Sequence, residues 1–539
     1  MNEIQPVSCE AAECNVISDQ SIIHERYTEL LGDESKLRAE NVHSIYVPTS
    51  TAEVVWAVQD MISKGHSCVI SAGRTGIAGG AVPLGVTSIL CLDQLKSPLG
   101  LAQEGDAYAI RVEPGMSLAR LTGLVMRNDF NECRDFDSAE HQEASASIAD
   151  KNLRLWFPVN PTETSAHIGG IVATNASGAR SYRYGATRKW VRGLTVILAD
   201  GRLLKIRRGD VVAEGGCFVL HEVDGSKKEI QSGEVSLPAT KATLGYPLAA
   251  GMDLIDLFIG SEGTLGVITE IELYLSLRPE ASVGVLVIAP DEETALGLVE
   301  NSRSNTDVNF DAIEYFDPAA FQLIKEKKDQ DGAGSHIPDL PNWQGCGVYF
   351  EFSGTEEETE EACIPLEEIL EQSGLSLDDT WAAMEPAEMA AQRIFRHAVP
   401  EAVNGIIGRR KLKFPGLHKV GTDMAVPNDK LREVFAMYRQ GLESSGIDSV
   451  IFGHIGDNHV HVNLLPKDME ELARSKQLYL AWAENVVTMG GAVAAEHGIG
   501  RMKKEMLQVQ YAPKILNMMK AVRTAFDPNG VFAPGVLFE

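Results

Sequence analysis

Hydrophobic and polar positions follow the periods of helices and strands in several stretches, and glycine-rich segments separate these stretches. Ser50 and Glu53 have the spacing of a capping box, which predicts a helix from there to about Ser63. The apolar run 67–71 predicts a buried strand that ends in a glycine-rich loop. A helix is predicted over 513–526, and we interpret its apolar face as core; that face carries Ile515, Met518, Met519, Val522 and Phe526.

A hairpin that carries histidines is predicted close to the C-terminal end. Residues 450–452 are apolar, and 456–458 have the composition of a turn. In the returning strand, the period of two puts His459, His461 and Asn463 on one face and two valines on the other. The hairpin therefore brings His454 alongside His461. A second cluster, Glu496 and His497, lies between an apolar run and two glycines.

Three glycine-rich segments occur within about two hundred residues, at 72–80, 167–185 and 256–269. Glycines after a strand allow backbone N–H groups to approach a pyrophosphate, because no Cβ blocks the approach. The first segment alone fits a plain turn equally well, and it matches neither the Rossmann fingerprint nor the P-loop. Three such segments together favour the phosphate-binding interpretation.

Composition narrows the possible classes of protein. A chain of 539 residues predicts two or more domains. The net charge of −28 argues against nucleic acid or an anionic membrane surface as partner. No apolar stretch approaches a membrane span, and the polar, acidic start gives no sign of a signal peptide. The eight cysteines form no CxxC pair, which argues against an iron–sulfur site and predicts reduced thiols in a cytoplasmic protein.

The three glycine segments, in this order, resemble the FAD-binding domain of the vanillyl-alcohol oxidase and p-cresol methylhydroxylase superfamily. The two histidine clusters resemble the branch that holds D-lactate dehydrogenase, D-2-hydroxyglutarate dehydrogenase and the FAD subunit of glycolate oxidase. The resemblance runs from about residue 40 to the end and implies an α+β fold. Its expected parts are a helical lead-in, a two-subdomain FAD-binding domain, an α+β cap domain for the substrate, and a C-terminal segment that returns to the active site, at 1–44, 45–277, 278–485 and 486–539.

The resemblance also implies which residues bind FAD. They are Gly73, Arg74, Thr75, Gly76, Gly79, Gly80, Pro161, Gly169, Thr174, Asn175, Gly178, Tyr184, Gly185, Glu262, Gly263, Thr264 and Ile268. No His or Cys stands where relatives attach the flavin near the first loop, so we expect non-covalent FAD. The closing Asn-Pro-Gly-Lys of the family is replaced here by 533–536 (APGV), which puts a contact between the tail and the flavin ring in doubt.

The two clusters predict a metal-assisted oxidation. His454, His461 and Glu496 suit a divalent metal, Zn or Mn, with an open coordination position. Relatives have Gly-Asp-Gly-Asn-Leu-His over 456–461, so His459 is an additional imidazole. It could be a fourth ligand, a group that hydrogen-bonds a ligand, or an idle substitution, and we favour the second. The resemblance makes His497 the base that takes the C2 hydroxyl proton while hydride leaves for flavin N5.

The expected substrate is a small D-2-hydroxy acid, with D-lactate the best match. Arg396 and Asn463 are the residues expected to bind its carboxylate. The 2-hydroxyglutarate branch has a Thr for the distal carboxylate where this chain has Pro400, which offers no donor. Lys419 matches a substrate lysine of that branch only with a shift in spacing. We interpret the basic run 409–413 as a solvated face or a docking surface for an electron acceptor.

Other functions and partners stay open at this point. D-2-hydroxyglutarate or glycolate dehydrogenase is the nearest alternative, and an FAD-carrying electron-transfer subunit is another. Alkyl-glycerone-phosphate synthase is disfavoured, because it has three histidines in a row where this chain has 495–497 (AEH). Electrons are expected to pass to a separate protein, a quinone or oxygen. The protein is expected to be cytoplasmic or peripheral to a membrane through its acceptor, as a homodimer or with an iron–sulfur or electron-transfer partner. Segments 128–152 and 328–342 resemble insertions.

Overall fold

The computed structural model describes residues 3–5, 12–85, 87–222, 226–340 and 342–538. Strands in this part of the chain form three sheets. In chain order they are β1 (Glu3–Gln5), β2 (Asn15–Ile17), β3 (Ile45–Val47), β4 (Cys68–Ser71), β5 (Ser88–Cys91), β6 (Pro98–Glu104), β7 (Ala107–Val112), β8 (Leu155–Trp156), β9 (Val191–Ile197), β10 (Leu203–Arg207), β11 (Cys217–Glu222), β12 (Lys227–Gln231), β13 (Val267–Leu277), β14 (Ala281–Ala289), β15 (Phe310–Phe316), β16 (Cys346–Gly354), β17 (Thr380–Ala383), β18 (Val420–Gly421), β19 (Ser449–His454) and β20 (His459–Leu464).

Helices connect and cover these sheets. The α-helices among the described residues are α1 (Gln20–Arg26), α2 (Thr51–Ser63), α3 (Leu118–Arg127), α4 (Ala139–Asp150), α5 (Ile168–Ala173), α6 (Ser181–Tyr184), α7 (Ile255–Phe258), α8 (Glu292–Ser304), α9 (Pro318–Asp331), α10 (Glu356–Glu361), α11 (Cys363–Gln372), α12 (Pro386–Lys411), α13 (Leu431–Ser445), α14 (Met469–Thr488), α15 (Lys504–Gln510) and α16 (Pro513–Phe526). Within the described ranges, no helix combines the length and the apolar character that crossing a membrane requires.

The smallest sheet has the order β2-β3-β5-β4, and its last three strands are parallel. Helix α2 begins as the capping box predicts, since the Ser50 side chain accepts from the Glu53 N–H at 3.2 Å. Its apolar face is buried in the same core as β4 and β5. Strand β4 then runs directly into the first glycine segment, so the sheet fixes where that loop starts.

The largest sheet has the order β12-β11-β1-β10-β9-β13-β7-β6, and β8 pairs with β13 off this path. Helix α5 and the third glycine segment meet beside its central strands. The N–H groups of Gly260 and Glu262 donate to the carbonyls of Val172 and Ala173, at 3.0 and 2.8 Å. These bonds hold the second and third glycine segments side by side although they are about ninety residues apart.

The third sheet has the order β17-β14-β16-β15-β19-β20-β18, and every pairing in it is antiparallel. Helices α9 and α12 share one core with this sheet, around Phe321 and Phe395. Its last long strands, β19 and β20, form the predicted hairpin, and the turn between them ends at Asn458 with φ +48°. The register places Phe452 opposite His461 and His454 opposite His459.

The C-terminal segment contacts both the third sheet and the smallest sheet. Ala492 exchanges two backbone hydrogen bonds with Ala425, beyond β18 of the third sheet. Farther along, Cys68 of β4 donates to Val531 and accepts from Ala533, at 2.7 Å each. Helix α16 has the predicted bounds and buries Met519, Val522 and Phe526. We keep 45–277, 278–485 and 486–539 as the proposed division of the chain.

The N-terminal segment differs from the helical lead-in predicted for 1–44. Only α1 is an α-helix there; β1 joins the largest sheet and β2 pairs with β3. Strand pairing with distant residues decides these short segments, and their own sequence carries no sign of it. Residues 1, 2 and 6–11, including Cys9 and most of the stretch used for the signal-peptide expectation, lie outside the described residues.

The proposed insertion at 128–152 forms helix α4, which packs on the largest sheet. Ala144 and Ile148 are buried, and the Leu101 N–H of β6 donates to His141 Nδ1 at 3.2 Å. This segment therefore extends the core of the sheet and contributes no residue to the cavity described below.

Gly115 offers a test of how closely the segments that follow β5 and β7 approach each other. A Cβ at Gly115 would lie 2.4 Å from the Leu92 carbonyl oxygen and 2.7 Å from that of Leu95. We expect Gly115→Ala to destabilise the protein by about 1–3 kcal/mol, the usual range for overpacking. Gly408→Ala in α12 is the matched control, because a Cβ there meets nothing within 4 Å. It should be stabilising by about 0.5–1 kcal/mol. Denaturant unfolding midpoints measure both; equal shifts would contradict the prediction.

Candidate active site

A cavity of about 350 Å³ lies where the three glycine segments meet. The first segment supplies one wall, and α5 with residues 161–178 supplies a second. The third segment, 261–268, closes the cavity on another side. His454, Glu496 and His497 complete the lining. The fold thus brings the histidine clusters to the same cavity as the three glycine segments.

The glycines of these walls have two effects. Some allow neighbouring segments to pack closely, and others leave the main chain uncovered toward the cavity. At Gly169 a Cβ would lie 2.6 Å from Pro114 Cβ, and at Gly178 it would lie 2.1 Å from the Asn160 carbonyl oxygen. At Gly76 and Gly170, both of which line the cavity, a Cβ would meet no atom within 4 Å. Bare backbone facing an open cleft is what a pyrophosphate needs, so this cradle fits FAD.

Twelve of the residues predicted to bind FAD line the cavity. They are Gly73, Arg74, Thr75, Gly76, Gly80, Pro161, Gly169, Thr174, Gly178, Glu262, Gly263 and Ile268. The other five, which the cavity lining lacks, are Gly79, Asn175, Tyr184, Gly185 and Thr264.

Two of these five support the walls from behind. Asn175 Oδ1 accepts from the Arg188 N–H at 2.9 Å, and Asn175 has φ +48°. Thr264 is fully buried, and its hydroxyl lies 2.6 Å from the Tyr246 hydroxyl. Asn175 and Thr264 therefore hold the conformation of the second and third glycine segments and do not line the cavity.

The charge of Arg74 is paired with a carboxylate of the protein. Its guanidinium donates to both carboxylate oxygens of Asp93, at 3.2 and 2.8 Å, and its backbone has φ +57°. The Coulombic attraction of this ion pair, together with its hydrogen bonds, outweighs burial and raises the pKa of Arg74. Arg74 therefore fixes the shape of the first loop.

Glu262 ties the third glycine segment to the C-terminal segment. Its carboxylate oxygens accept from the N–H groups of Ile499 and Gly500, each at 2.8 Å. Burial raises the pKa of Glu262 to about 7. This residue both lines the cavity and holds the segment that carries Glu496 and His497 against it.

A cluster that could hold a metal ion lies at the end of the cavity. His454, His459, His461 and Glu496 each offer one ligand atom, and these atoms lie within 4.8 Å of one another. Three of these residues are those predicted from the sequence; His459 is the fourth. Their chemistry, imidazole and carboxylate, suits a borderline divalent metal such as zinc.

Each imidazole has one nitrogen beside an oxygen acceptor outside the cluster. His454 Nδ1 lies 2.5 Å from Glu314 Oε1, and His461 Nδ1 lies 3.0 Å from the Thr422 carbonyl oxygen. His459 Nε2 lies 3.1 Å from Asp423 Oδ1. Such outer acceptors hold the hydrogen on one nitrogen and turn the other nitrogen toward a ligand position.

The Glu496 carboxylate is held by residues of the largest sheet's subdomain. Its Oε1 accepts from Ser177 Oγ and from Lys241 Nζ, both at 2.8 Å. Its Oε2 lies 3.2 Å from His454 Nε2. Burial alone would raise the pKa of Glu496, but Lys241 and His454 outweigh it and hold the pKa well below its usual range. Burial likewise opposes the charged form of His454, yet Glu314 and Glu496 raise its pKa to about 10.

Asp423 is the residue that sequence reasoning missed. Its carboxylate is buried and accepts from the N–H groups of Glu496 and His497, each at 3.1 Å, and from Lys503 Nζ at 2.7 Å. Burial would raise the pKa of Asp423, but His497 and Lys503 hold it well below its usual range. Asp423 stands in a mostly apolar stretch that indicates burial, but its partners are brought to it only by the fold.

His497 lies between the cavity and the metal cluster. Its ring stacks on that of His461, with centroids 5.4 Å apart and planes 17° apart. Its Nδ1 lies 3.5 Å from Asp423 Oδ2. Desolvation in the site lowers the pKa of His497 to about 4, so the ring is a neutral imidazole at pH 7. A neutral imidazole that opens to the cavity can accept a proton.

The two predicted substrate residues lie farther back. Arg396 lies over the Tyr349 ring, 4.7 Å from its centroid, and its guanidinium is 3.6 Å from Glu314 and 3.7 Å from Glu351. Asn463 is buried, and its Nδ2 donates to the His461 carbonyl oxygen at 3.3 Å. Neither residue is part of the cavity lining.

Comparisons with known proteins identify the domain families of the chain. The family model "FAD linked oxidases, C-terminal domain" matches 278–537, and "FAD binding domain" matches 139–207. The chain is 27% identical to D-lactate dehydrogenase of Anaerostipes hadrus, over 95% of this chain and 92% of that protein. It is also 27% identical to D-2-hydroxyglutarate dehydrogenase of Stutzerimonas stutzeri (strain A1501), over 94% and 93%.

Among solved structures, p-cresol methylhydroxylase with substrate bound has the same fold. Its TM-score is 0.62 at 14% identity, and the match covers 97% of this chain and 93% of that one. The chain therefore carries an FAD binding domain and the C-terminal domain of FAD linked oxidases, and it has the FAD-binding fold of p-cresol methylhydroxylase.

Proposed function

We propose that the protein is an FAD-dependent dehydrogenase that oxidises a D-2-hydroxy acid to the 2-oxo acid, with D-lactate as its preferred substrate. The observation that carries the proposal is one cavity whose walls are the three glycine segments and whose end is formed by His454, Glu496 and His497. Relatives named D-lactate and D-2-hydroxyglutarate dehydrogenase, aligned over nearly the whole chain, support the same reaction class.

FAD would lie non-covalently along the glycine walls of the cavity. When bound, it supplies the acceptor for the two electrons and the hydrogen that leave C2 of the substrate. The chain's part is to hold the cofactor through bare backbone at Gly76 and Gly170 and to exclude water from the enclosed end of the cavity.

A divalent metal, Zn or Mn, would be held by His454, His461 and Glu496. A cation at this position polarises the oxygens of a hydroxy acid and lowers the pKa of the hydroxyl group. The buried carboxylates around the cluster fit such a charge, since Glu314 and Glu496 both raise the pKa of His454. Metal binding would displace the proton that this imidazole otherwise keeps.

His497 would take the proton of the C2 hydroxyl. Three features support this role: its opening to the cavity, its neutral imidazole, and its position beside Glu496. Asp423 accepts from the backbone of His497 and lies near its Nδ1, so it orients the ring. Asp423 is thus a positioning residue, and His497 is the proposed catalytic base.

D-2-hydroxyglutarate has a distal carboxylate that D-lactate lacks, so the choice between them depends on whether the protein offers that carboxylate a partner. Pro400 lies inside α12, four residues after Arg396, and has no N–H or side-chain donor to offer. One observation favours the larger substrate. Lys419 is half-buried, burial lowers its pKa, and no described carboxylate forms an ion pair with it. D-2-hydroxyglutarate is therefore the second candidate substrate.

The proposal includes an external electron acceptor, either a protein or a quinone. The sequence lacks the paired cysteines of an iron–sulfur centre, so electrons must leave the reduced cofactor for another molecule. We propose a protein of the cytoplasm that reaches a membrane only through this acceptor.

The cofactor proposal predicts a yellow protein from which acid or heat releases FAD. Gly170→Leu should lower FAD affinity at least about tenfold, a loss near 1.4 kcal/mol, because the new side chain enters the cavity from α5. Gly170→Ala is the matched control and should have a much smaller effect, since nothing lies within 4 Å of its Cβ. Fluorescence titration of the apoprotein measures both. Flavin that stays on the denatured chain would contradict the non-covalent proposal.

The proposed base and metal make separable predictions. His497→Ala should keep FAD and metal, yet slow anaerobic flavin reduction by about 10²–10⁴, the usual worth of a general base. Chelator treatment should abolish flavin reduction while FAD stays bound. His43→Ala, at an exposed histidine, is the control and should change neither. Stopped-flow absorbance gives the rates; a metal-free protein that reduces its flavin normally would rule out the metal's role.

Substrate preference is tested with a panel of hydroxy acids and an artificial acceptor. We expect kcat/KM for D-lactate to exceed that for D-2-hydroxyglutarate by about tenfold or more, because the distal carboxylate would lose hydrogen bonds on desolvation. Lys419→Met should leave D-lactate oxidation unchanged. A preference for D-2-hydroxyglutarate that this variant removes would instead support the second candidate. Preference for L-lactate would contradict the branch assignment.

A further inference from the structure

We propose that His459 is a fourth protein ligand of the metal, so that three imidazoles and the Glu496 carboxylate hold the ion and a substrate oxygen would add as a fifth ligand. The inference rests on the proposed metal site and adds to its three ligands the one further imidazole of the cluster, His459.

The position of the ring supports ligation. His459 is fully buried in β20, and neither ring nitrogen meets the geometry of a hydrogen bond with the described residues, although Nε2 lies 3.1 Å from Asp423 Oδ1. This nitrogen lies 3.8 Å from Glu496 Oε2, which is too long for a hydrogen bond. It is short enough for two ligands of one ion, and His459 belongs to the group of four residues that each offer one ligand atom, all within 4.8 Å of one another.

The surroundings of the ring repeat those of the other two histidines. His454 and His461 each have an outer nitrogen beside an oxygen acceptor, and His459 has Nε2 beside Asp423. The ring centroids of His459 lie 4.6 Å from His461 and 5.5 Å from His454. Each of the three imidazoles therefore has one nitrogen beside an oxygen outside the cluster, and each also offers a ligand atom to the cluster.

The two other roles for His459 account for less of this geometry. A group that only hydrogen-bonds a ligand needs a partner on its inner side, and the described residues provide none for Nδ1. An idle substitution would leave a buried polar nitrogen unsatisfied, which is costly and rare in native proteins. A metal ion bound to Nδ1 would give this nitrogen a partner on its inner side, so that it would no longer be buried and unsatisfied.

A third imidazole changes which metal the centre prefers. Imidazole suits zinc and its neighbours in the first transition row, whereas carboxylate and water suit manganese and magnesium. The set of three histidines and one glutamate should therefore select zinc over manganese more strongly than a set with two histidines. This consequence concerns binding and is independent of turnover.

X-ray absorption on the FAD-containing, zinc-loaded protein tests the proposal directly. The wild type should give three imidazoles per zinc, and His459→Asn should give two. Zinc affinity, measured by competition with a chromogenic chelator, should fall by about 100-fold or more in His459→Asn. The ratio of zinc to manganese affinity should fall with it. His459→Gln serves as a second variant, and His43→Asn, at an exposed position, is the control that should change none of these quantities.

The outcomes separate this inference from the function on which it rests. Two imidazoles per zinc in both wild type and His459→Asn would overturn the role of His459 and leave the metal site of three ligands intact. Failure of the wild type to bind zinc would remove the metal site itself. Retained flavin absorbance in each variant shows that the protein is folded, so a lost imidazole cannot be ascribed to unfolding.

Discussion

One buried carboxylate, that of Asp423, fixes the distance between the two parts of the chain that make the active site. It accepts from the backbone of Glu496 and His497, binds Lys503, and faces His459 of the hairpin. A buried carboxylate is costly unless its lone pairs are satisfied, and here four groups surround it. The same contacts that satisfy the charge therefore also set the position of His497 relative to the histidine cluster.

The site contains many ionisable groups in a small buried volume. Their ion pairs and their desolvation set which of them carry a proton. Glu314 and Glu496 flank His454 and keep its pKa high, whereas His497 lies beside neutral rings and is held neutral by desolvation. The two imidazoles are thus suited to different work: one to ligate beside carboxylates, the other to accept a proton. Buried Lys241 balances Glu496 from the opposite side and leaves Oε2 turned toward the histidines.

The sequence allowed the local elements and the main chemistry to be predicted, because both depend on short-range patterns. Helices α2 and α16 and the β19–β20 hairpin follow from capping and periodicity, and the histidine clusters from residue type. Asp423 and Lys241 could not be found this way, since their importance arises from contacts with residues 73 and 255 positions away. The same reason hid the strands β1 and β2, whose partners are distant. His459 was visible as an additional imidazole, but its role depended on which nitrogen faced inward.

The C-terminal segment connects the cavity to the histidine cluster through hydrogen bonds. Arg501 N–H donates to Ala78 of the first glycine segment at 2.9 Å, and Glu262 of the third segment accepts from Ile499 and Gly500. A few residues earlier, Glu496 and His497 face the histidines. Three backbone N–H groups of this loop, at 499–501, therefore tie the first and third glycine segments to the stretch that carries Glu496 and His497. A single short loop thus fixes the position of the glycine walls relative to the histidine clusters.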